Sequence, residues 1–147
     1  MYKVSVYAAP MPFPLNFTVH TWFVTEYAGK VDRYEVWAVL GRIGNKALYV
    51  NGLDPYEGFR KTFFDSIHNP KRKSEAYELM SWCGEAGTVA QALFQEVRNS
   101  LTTYPAPNHY RMWPGPNSNT YVAWVLQQVP EVSYRLPRSA VGKNYTF

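Results

Sequence analysis

Alternating apolar and polar positions dominate the first half of the chain and predict β-strands there. Residues 2–8 alternate in this way, while 17–27 and 31–40 are rich in β-branched and aromatic residues. The segment 28–30 separates these two runs and predicts a hairpin loop of three residues. Prolines at 10, 12 and 14 predict that the strand ends before 9–14 and that this segment is a loop.

Two further short runs, 47–50 and 76–82, have strand composition, and the alternation of Tyr77 and Leu79 with Met80 and Trp82 favours a strand over a helix in the second. Between 53 and 73 no period holds, so we expect turns and short helical turns there. The apolar positions of that segment that we expect to be buried are Phe63, Phe64 and Ile67.

Helical spacing replaces alternation in the second half of the chain. In 85–102, apolar residues recur four apart at Val89, Leu93, Val97 and Leu101. A second helix is predicted over 118–129 from the spacing of its valines and Leu126. Strands followed by two helices predict one α+β domain over 1–147, with an antiparallel sheet of four to six strands and two main helices.

Composition limits the classes of protein to which this sequence can belong. Its 46% hydrophobic fraction suits a folded domain, and no apolar run approaches the roughly 20 residues that a membrane helix requires. No signal peptide is recognisable, so we expect a cytoplasmic protein. The lone Cys83 excludes an internal disulfide, and the three scattered histidines match no metal-ligand motif. We therefore expect no cofactor.

The net charge of +4 raises the question of anionic partners. Basic residues cluster in 60–73 and in the tail, at Arg135, Arg138 and Lys143. Neither cluster matches a nucleic-acid-binding motif, so nucleic acid is not the expected partner and a solvated basic surface is the simpler interpretation.

Candidate chemistry concentrates where a proline-rich aromatic loop meets the second helix. Ser118 lies at the predicted helix start, where it can act as a nucleophile stabilised by the helix dipole or simply cap the helix. In the first case the Asn117 side chain and the amides of Asn119 and Thr120 are candidate oxyanion donors.

His20 is the candidate base, on the first arm of the hairpin. The alternative is a half-buried strand histidine with one satisfied nitrogen. Asp32, Tyr34 and Glu35 are candidates to orient the imidazole. If 28–30 is the loop, position 20 lies opposite 38 and Tyr34 shares its face, whereas the chemistry favours a carboxylate such as Glu35.

Other side chains offer a second set of possibilities. Cys83 is an alternative nucleophile, although a lone cysteine of this kind is more often a packing residue. In the loop, Tyr110, Arg111 and Trp113 can bind an anionic or planar group of a substrate, or brace the loop against the core.

The sequence resembles an uncharacterised bacterial family of proteins with a domain of unknown function, DUF3750. The matching motifs are His20-Thr21-Trp22, Gly84-Glu85, Tyr104-Pro105, the block Trp113 to Thr120, and the tail Leu136 to Lys143. The chain departs from the family pattern at Asn144, where the family has aspartate, and in 53–73. This resemblance covers most of the chain and implies no particular activity.

A strand histidine and an Asn-nucleophile pair at a later helix are also similar to circularly permuted papain-like proteins of the NlpC/P60 and lecithin–retinol acyltransferase type. Those proteins have cysteine where this chain has Ser118. This resemblance implies a permuted papain-like arrangement and a hydrolase or acyltransferase acting on an amide or ester, with Ser118, His20 and Glu35 as catalytic residues. The alternative is a non-catalytic domain that binds a small molecule or peptide. Neither interpretation predicts an oligomeric state.

Overall fold

The computed structural model describes residues 1–38, 47–59, 67 and 76–147, which form one antiparallel sheet and two helices. The strand order in the sheet is β4-β3-β2-β1-β5. This arrangement confirms the α+β prediction. The elements in chain order are β1 (Tyr2–Pro10), β2 (Val19–Tyr27), β3 (Lys30–Val36), β4 (Leu48–Val50), β5 (Tyr77–Gly84), α1 (Val89–Thr103) and α2 (Ser118–Gln127).

The two faces of the sheet have different surroundings, because successive side chains of a strand point to opposite sides. On β2, Phe23 joins the main core beneath the helices and meets Tyr121 of α2 edge to face. Trp22 and Val24 lie on the other face in a smaller apolar cluster. The parity of a residue on β2 therefore decides whether its side chain faces the helices or the opposite side of the sheet.

Both helices pack through the apolar stripes that their spacing predicts. Leu93 and Val97 of α1 are fully buried. Leu101, predicted on the same stripe, is instead 44% exposed, because steps of four residues drift around the helix and Ser100 takes the buried position in that turn. A hydrogen bond of 2.8 Å between the hydroxyls of Ser100 and Tyr121 joins the two helices.

Three local predictions are wrong. The hairpin turn contains two residues, Ala28 and Gly29, because Tyr27 pairs with Lys30. Pro10 belongs to β1 rather than to a loop. It pairs with β2 alone, because the pairing of β1 with β5 ends at Ala8. The N–H that proline lacks is therefore not needed for a hydrogen bond to β5. Ile67 is 58% exposed rather than buried. Phe63 and Phe64 lie outside the described residues.

The tail after α2 runs back over the start of that helix and is anchored there by its own apolar and polar contacts. Leu136 and Ala140 are buried in the main core. The Thr18 hydroxyl donates to the Ser139 carbonyl at 2.7 Å, which ties the tail to the segment before β2. Neither described helix is long and apolar enough to span a membrane.

Candidate functional site

A buried imidazole and carboxylate meet on the face of the sheet opposite the helices. His20 of β2 is 2% exposed and Glu35 of β3 is fully buried. Their closest atoms, Nε2 and Oε2, are 2.8 Å apart. Of the predicted partners of His20, Glu35 is therefore the one that contacts the imidazole.

The two-residue turn explains why Glu35 rather than Tyr34 reaches His20. Ala28 and Gly29 both have positive φ, at 50° and 77°, as a tight hairpin turn of this kind requires. Relative to the predicted loop, the pairing moves by one residue, and such a move exchanges the two faces of β3. Tyr34 consequently lies in the main core, on the helix side. Asp32 instead accepts from the Asn51 amide at 2.7 Å.

Arg33 completes this group, which we call the charged cluster (His20, Arg33 and Glu35). Its guanidinium is fully buried and donates from Nη2 to Glu35 Oε2 at 2.7 Å. Nη1 donates to the carbonyls of Asp54 and Glu57, both at 2.6 Å, so the segment 53–59 closes over the cluster. The guanidinium also lies 4.0 Å from the ring centre of Trp22, an arrangement that favours a desolvated cation.

The charges of the cluster stabilise one another. Burial opposes ionisation of Glu35, but its hydrogen bond and charge interaction with His20, together with those of Arg33, outweigh burial and lower the pKa of Glu35. Burial also lowers the pKa of Arg33, against the opposing effect of Glu35. Arginine titrates far above neutral pH, so the pair is ionised at pH 7.

This ionisation determines how His20 binds its partner. A carboxylate only accepts hydrogen bonds, so Nε2–H of His20 must be the donor to Glu35. In a neutral imidazole, Nδ1 then carries the lone pair and acts as a base or hydrogen-bond acceptor. Nδ1 has no hydrogen-bond partner among the described residues. Glu35 Oε1 and Arg33 Nε are likewise buried without a partner in the structure.

His20 forms part of the wall of a cavity of about 420 Å³. Its ring also packs against Trp22 and Phe59, at centroid distances of 5.5 and 4.8 Å. Apart from the imidazole, the indole of Trp37 and the phenol of Tyr110, the wall is aliphatic or aromatic and carries no charge. The lining residues are Met11, Pro12, Leu15, His20, Trp37, Ala38, Phe59, Tyr110 and Met112.

At the start of α2, Asn117 rather than Ser118 caps the helix. The Asn117 side-chain oxygen accepts from the amides of Asn119 and Thr120, at 2.9 and 3.2 Å. The Thr120 hydroxyl in turn accepts from the Asn117 amide at 3.1 Å, which completes a capping box. The two amides considered as oxyanion donors thus both donate to the Asn117 side chain in this structure.

The same side chains connect the helix start to distant parts of the chain. Asn117 Nδ2 donates to the carbonyls of Met112 and Val141, at 2.9 and 3.0 Å. Asn119 donates to Val19 and Val141 and accepts from the Thr21 hydroxyl at 2.7 Å. We call Asn117, Asn119 and Thr120 the amide cluster. The side chains of Asn117 and Asn119, which were predicted to contact substrate, thus make their hydrogen bonds within the chain in this structure.

Ser118 lies in sequence between Asn117 and Asn119, but its side chain takes no part in the hydrogen bonds of either cluster. It is 4% exposed, and its hydroxyl makes no hydrogen bond with any described residue. It lines a small cavity of about 10 Å³ whose wall includes Met11, Tyr110 and Met112, which also line the cavity beside His20. Ser118 and His20 therefore line two cavities that share Met11, Tyr110 and Met112, and their side chains do not hydrogen-bond to each other.

The loop residues predicted to bind substrate lie in different places in the structure. Tyr110 lines the cavity beside His20, and burial raises the pKa of its phenol. Arg111 is exposed and lies outside the lining of that cavity. Trp113 is 70% exposed and lines a different groove. Cys83 is exposed on β5, whose register places it opposite Lys3.

The sequence interpretation missed Arg33. The signal was present in the alternation Arg33-x-Glu35, which places a cation and a carboxylate on one face of β3. It was not decisive, because arginine is almost never fully buried. Within the described residues, no group of three or more histidine, cysteine or acidic side chains is arranged to hold a metal ion.

Comparison with known proteins identifies a family. The family model described as "Protein of unknown function (DUF3750)" matches residues 1–145. The chain belongs to this family. No curated protein and no solved structure matches it. Two of the motifs that gave the resemblance can be located in the structure of this chain: His20 is in the charged cluster, and Asn117, Asn119 and Thr120 form the amide cluster.

Proposed function

We propose that this DUF3750 protein binds a compact, apolar ligand carrying one hydrogen-bond donor in the cavity beside His20. The observation that carries the proposal is the His20–Glu35 contact of 2.8 Å in the wall of that cavity. Ligand sites are typically apolar with a few fixed polar groups, and this cavity has that composition. At 420 Å³ it also has the volume of a small-molecule site.

The charged cluster gives His20 one defined role in this binding. Glu35 holds Nε2–H, so Nδ1 is left as the acceptor for a ligand hydroxyl or N–H. Arg33 holds Glu35 in turn, and Arg33 is held by two backbone carbonyls. The acceptor is therefore preorganised: its side chain is already held in place, so little conformational entropy is lost when the ligand binds.

A pair of probes that differ by one donor tests this proposal. We expect 2-naphthol to bind more tightly than 2-methoxynaphthalene by roughly fivefold, because one net hydrogen bond contributes about 1 kcal/mol. In His20→Phe, which keeps a ring against Trp22 and Phe59, the difference should disappear. His109→Phe is the matched control, since His109 is exposed and outside the cavity wall.

Binding is measured by titration of intrinsic fluorescence and by chemical-shift changes of the His20 imidazole. Met112→Trp, which narrows the cavity, should weaken both probes together. Equal affinities of the two probes for the wild type would contradict the role of His20. Unchanged binding to Met112→Trp would show that the probes occupy another place.

A second candidate is hydrolysis or acyl transfer on an amide or ester, as the papain-like resemblance implies. The observation in its favour is that Ser118 is a buried residue whose hydroxyl bonds to no described residue, in a cavity that shares Met11, Tyr110 and Met112 with the one beside His20. Ser118 Oγ would attack the acyl carbon while His20 Nδ1 takes its proton and then returns it to the leaving amine or alcohol. Local movement of Met11 and Met112 would first have to bring the two groups together.

A serine-directed fluorophosphonate separates this candidate from simple binding. If Ser118 is a nucleophile, intact-mass analysis should show one adduct on the wild type, at greatly reduced rate in Ser118→Ala and His20→Phe. Labelling that persists in Ser118→Ala would rule out Ser118 as the nucleophile. Absence of labelling, with the naphthol difference retained, would leave the binding function and exclude the enzyme under these conditions.

A further inference from the structure

The tail forms a groove with one sign of charge, on a surface that does not include the cavity beside His20. The groove measures about 880 Å³ and is lined by Arg135, Arg138 and Lys143 without any carboxylate side chain. Tyr134 and Tyr145 form part of the same wall. Cations clustered in a concave surface raise the local concentration of anions.

Two of these cations are available to a ligand. Arg135 and Arg138 are exposed, and neither makes a hydrogen bond or ion pair with the rest of the described chain. Lys143 is partly committed, since Nζ donates to the carbonyls of Pro137 and Leu136, at 2.8 and 3.4 Å. These bonds fix the ammonium at the groove and leave its third proton for another acceptor. Guanidinium groups bind phosphate oxygens in pairs, which makes phosphate the best-matched anion.

A second groove continues from the first and adds an aromatic surface. It measures about 390 Å³ and shares Arg138, Lys143 and Tyr145 with the larger groove. Trp113, 70% exposed, lies in its wall. The fold thus brings the Trp113 loop beside the basic tail, a juxtaposition that the separate sequence positions do not reveal.

We propose that these joined grooves bind a nucleoside phosphate, with the base on Trp113 and the phosphate at Arg135, Arg138 and Lys143. An exposed indole beside guanidinium groups is suited to both parts of such a ligand, since bases stack on aromatic rings and phosphates pair with arginine. The ligand can be a free nucleotide or part of a single strand. The sequence alone does not predict this site because its three cations match no nucleic-acid motif.

Fluorescence anisotropy with a labelled ten-residue thymidine strand tests the site, with AMP and ATP as competitors. Arg135→Gln/Arg138→Gln should weaken binding about tenfold or more and flatten its dependence on salt. Trp113→Ala should weaken it by a similar factor, and Trp113→Phe should restore much of the loss. The matched control is Lys30→Gln/Arg98→Gln, which removes the same charge from exposed positions elsewhere.

The competitors distinguish the two sources of phosphate. Displacement by micromolar AMP or ATP indicates a free-nucleotide site, whereas binding of the strand alone indicates a single-strand site. The proposal is overturned by absence of saturable binding at 50 mM salt, or by equal losses in the tail and control variants. It is also overturned if phosphatidylserine vesicles bind through the tail arginines while neither nucleotide nor strand does.

Discussion

The charged cluster and the amide cluster use buried polar groups in opposite ways. In the amide cluster, the side-chain oxygens and nitrogens of Asn117 and Asn119 all have partners within the chain. In the charged cluster, Glu35 Oε1 and Arg33 Nε are buried without partners among the residues that the structure describes, and His20 lines a cavity. Since buried polar groups are normally satisfied, the cluster with unused atoms is the better candidate for binding.

The cluster that resembles a catalytic motif is therefore the one whose side chains hydrogen-bond within the chain. Asn117, Asn119 and Thr120 join the helix start to β2, the aromatic loop and the tail. Such a junction gives a physical reason for the block of small polar residues without any chemistry. The charged cluster has no comparable sequence motif, because its members come from two strands and the carbonyls of an irregular segment.

The largest expected effect is that of breaking the charged cluster. Glu35→Gln should lower the free energy of unfolding by about 3–5 kcal/mol, because it leaves the buried Arg33 without its counter-charge. Urea unfolding followed by circular dichroism measures this loss. Glu26→Gln, in a half-exposed pair with Lys3, is the control and should cost no more than about 1 kcal/mol. Equal losses of unfolding free energy in the two variants would show that the buried ion pair contributes no more to stability than the half-exposed one.

The amide cluster can be disturbed from its neighbour Gly142. A Cβ at Gly142 would lie 2.3 Å from Asn117 Nδ2, and its φ of 90° already disfavours other residues. Gly142→Ala should lower the free energy of unfolding by roughly 1–3 kcal/mol more than Gly87→Ala does. Gly87 is the matched control because its φ is 83° and nothing lies within 4 Å of its Cβ position.

Equal losses in the two glycine variants would show that strain in the backbone explains the whole effect. In that case the contact between Gly142 and Asn117 would not constrain the amide cluster. Thermal and urea unfolding of both variants, measured side by side, decide between these outcomes.

The strand and helix order followed from periodicity, whereas the partner of His20 did not. The two-residue turn requires Ala28 at a φ of 50°, a conformation that non-glycine residues seldom adopt. The predicted three-residue loop did not require Ala28 to adopt a positive φ, but it placed Tyr34 on the same face of the sheet as His20. A difference of one residue in the length of the turn thus determines whether Tyr34 or Glu35 lies on the face of His20. Sequence spacing alone does not tell which of the two turns forms.

The amide cluster was only partly predictable for a similar reason. Asn117 and Ser118 are both good N-caps, so local preference does not say which of them precedes the first helical residue. Asn117 is selected by contacts with Met112 and Val141, and Val141 is 24 residues away in the chain. Arg33 could not be predicted as buried, because the carbonyls that accept from it belong to a segment without any period.

A smaller test varies the pH and compares the wild type with Glu35→Gln, because the other carboxylates titrate in both proteins. Since the pKa of Glu35 is lowered on folding from its ordinary 4.5, its contribution to stability is complete above that pH and is lost as pH falls through the lower folded value. Between pH 5 and pH 3, the stability difference between wild type and Glu35→Gln should therefore narrow. A difference that stays constant over this range would mean that Glu35 titrates alike in the folded and unfolded chains.

The smallest expected effect distinguishes two adjacent residues at the start of α2. Ser118→Ala should change the free energy of unfolding by less than about 0.5 kcal/mol, because its hydroxyl makes no hydrogen bond with the described residues. Asn117→Ala should cost about 2 kcal/mol, since it removes the cap and leaves the Met112 carbonyl without its partner. Urea unfolding measures both.

A loss in Ser118→Ala as large as that in Asn117→Ala would place Ser118 within the amide cluster and weaken its candidacy as a nucleophile. A stable Ser118→Ala protein is the one in which a change in fluorophosphonate labelling reports on chemistry rather than on folding.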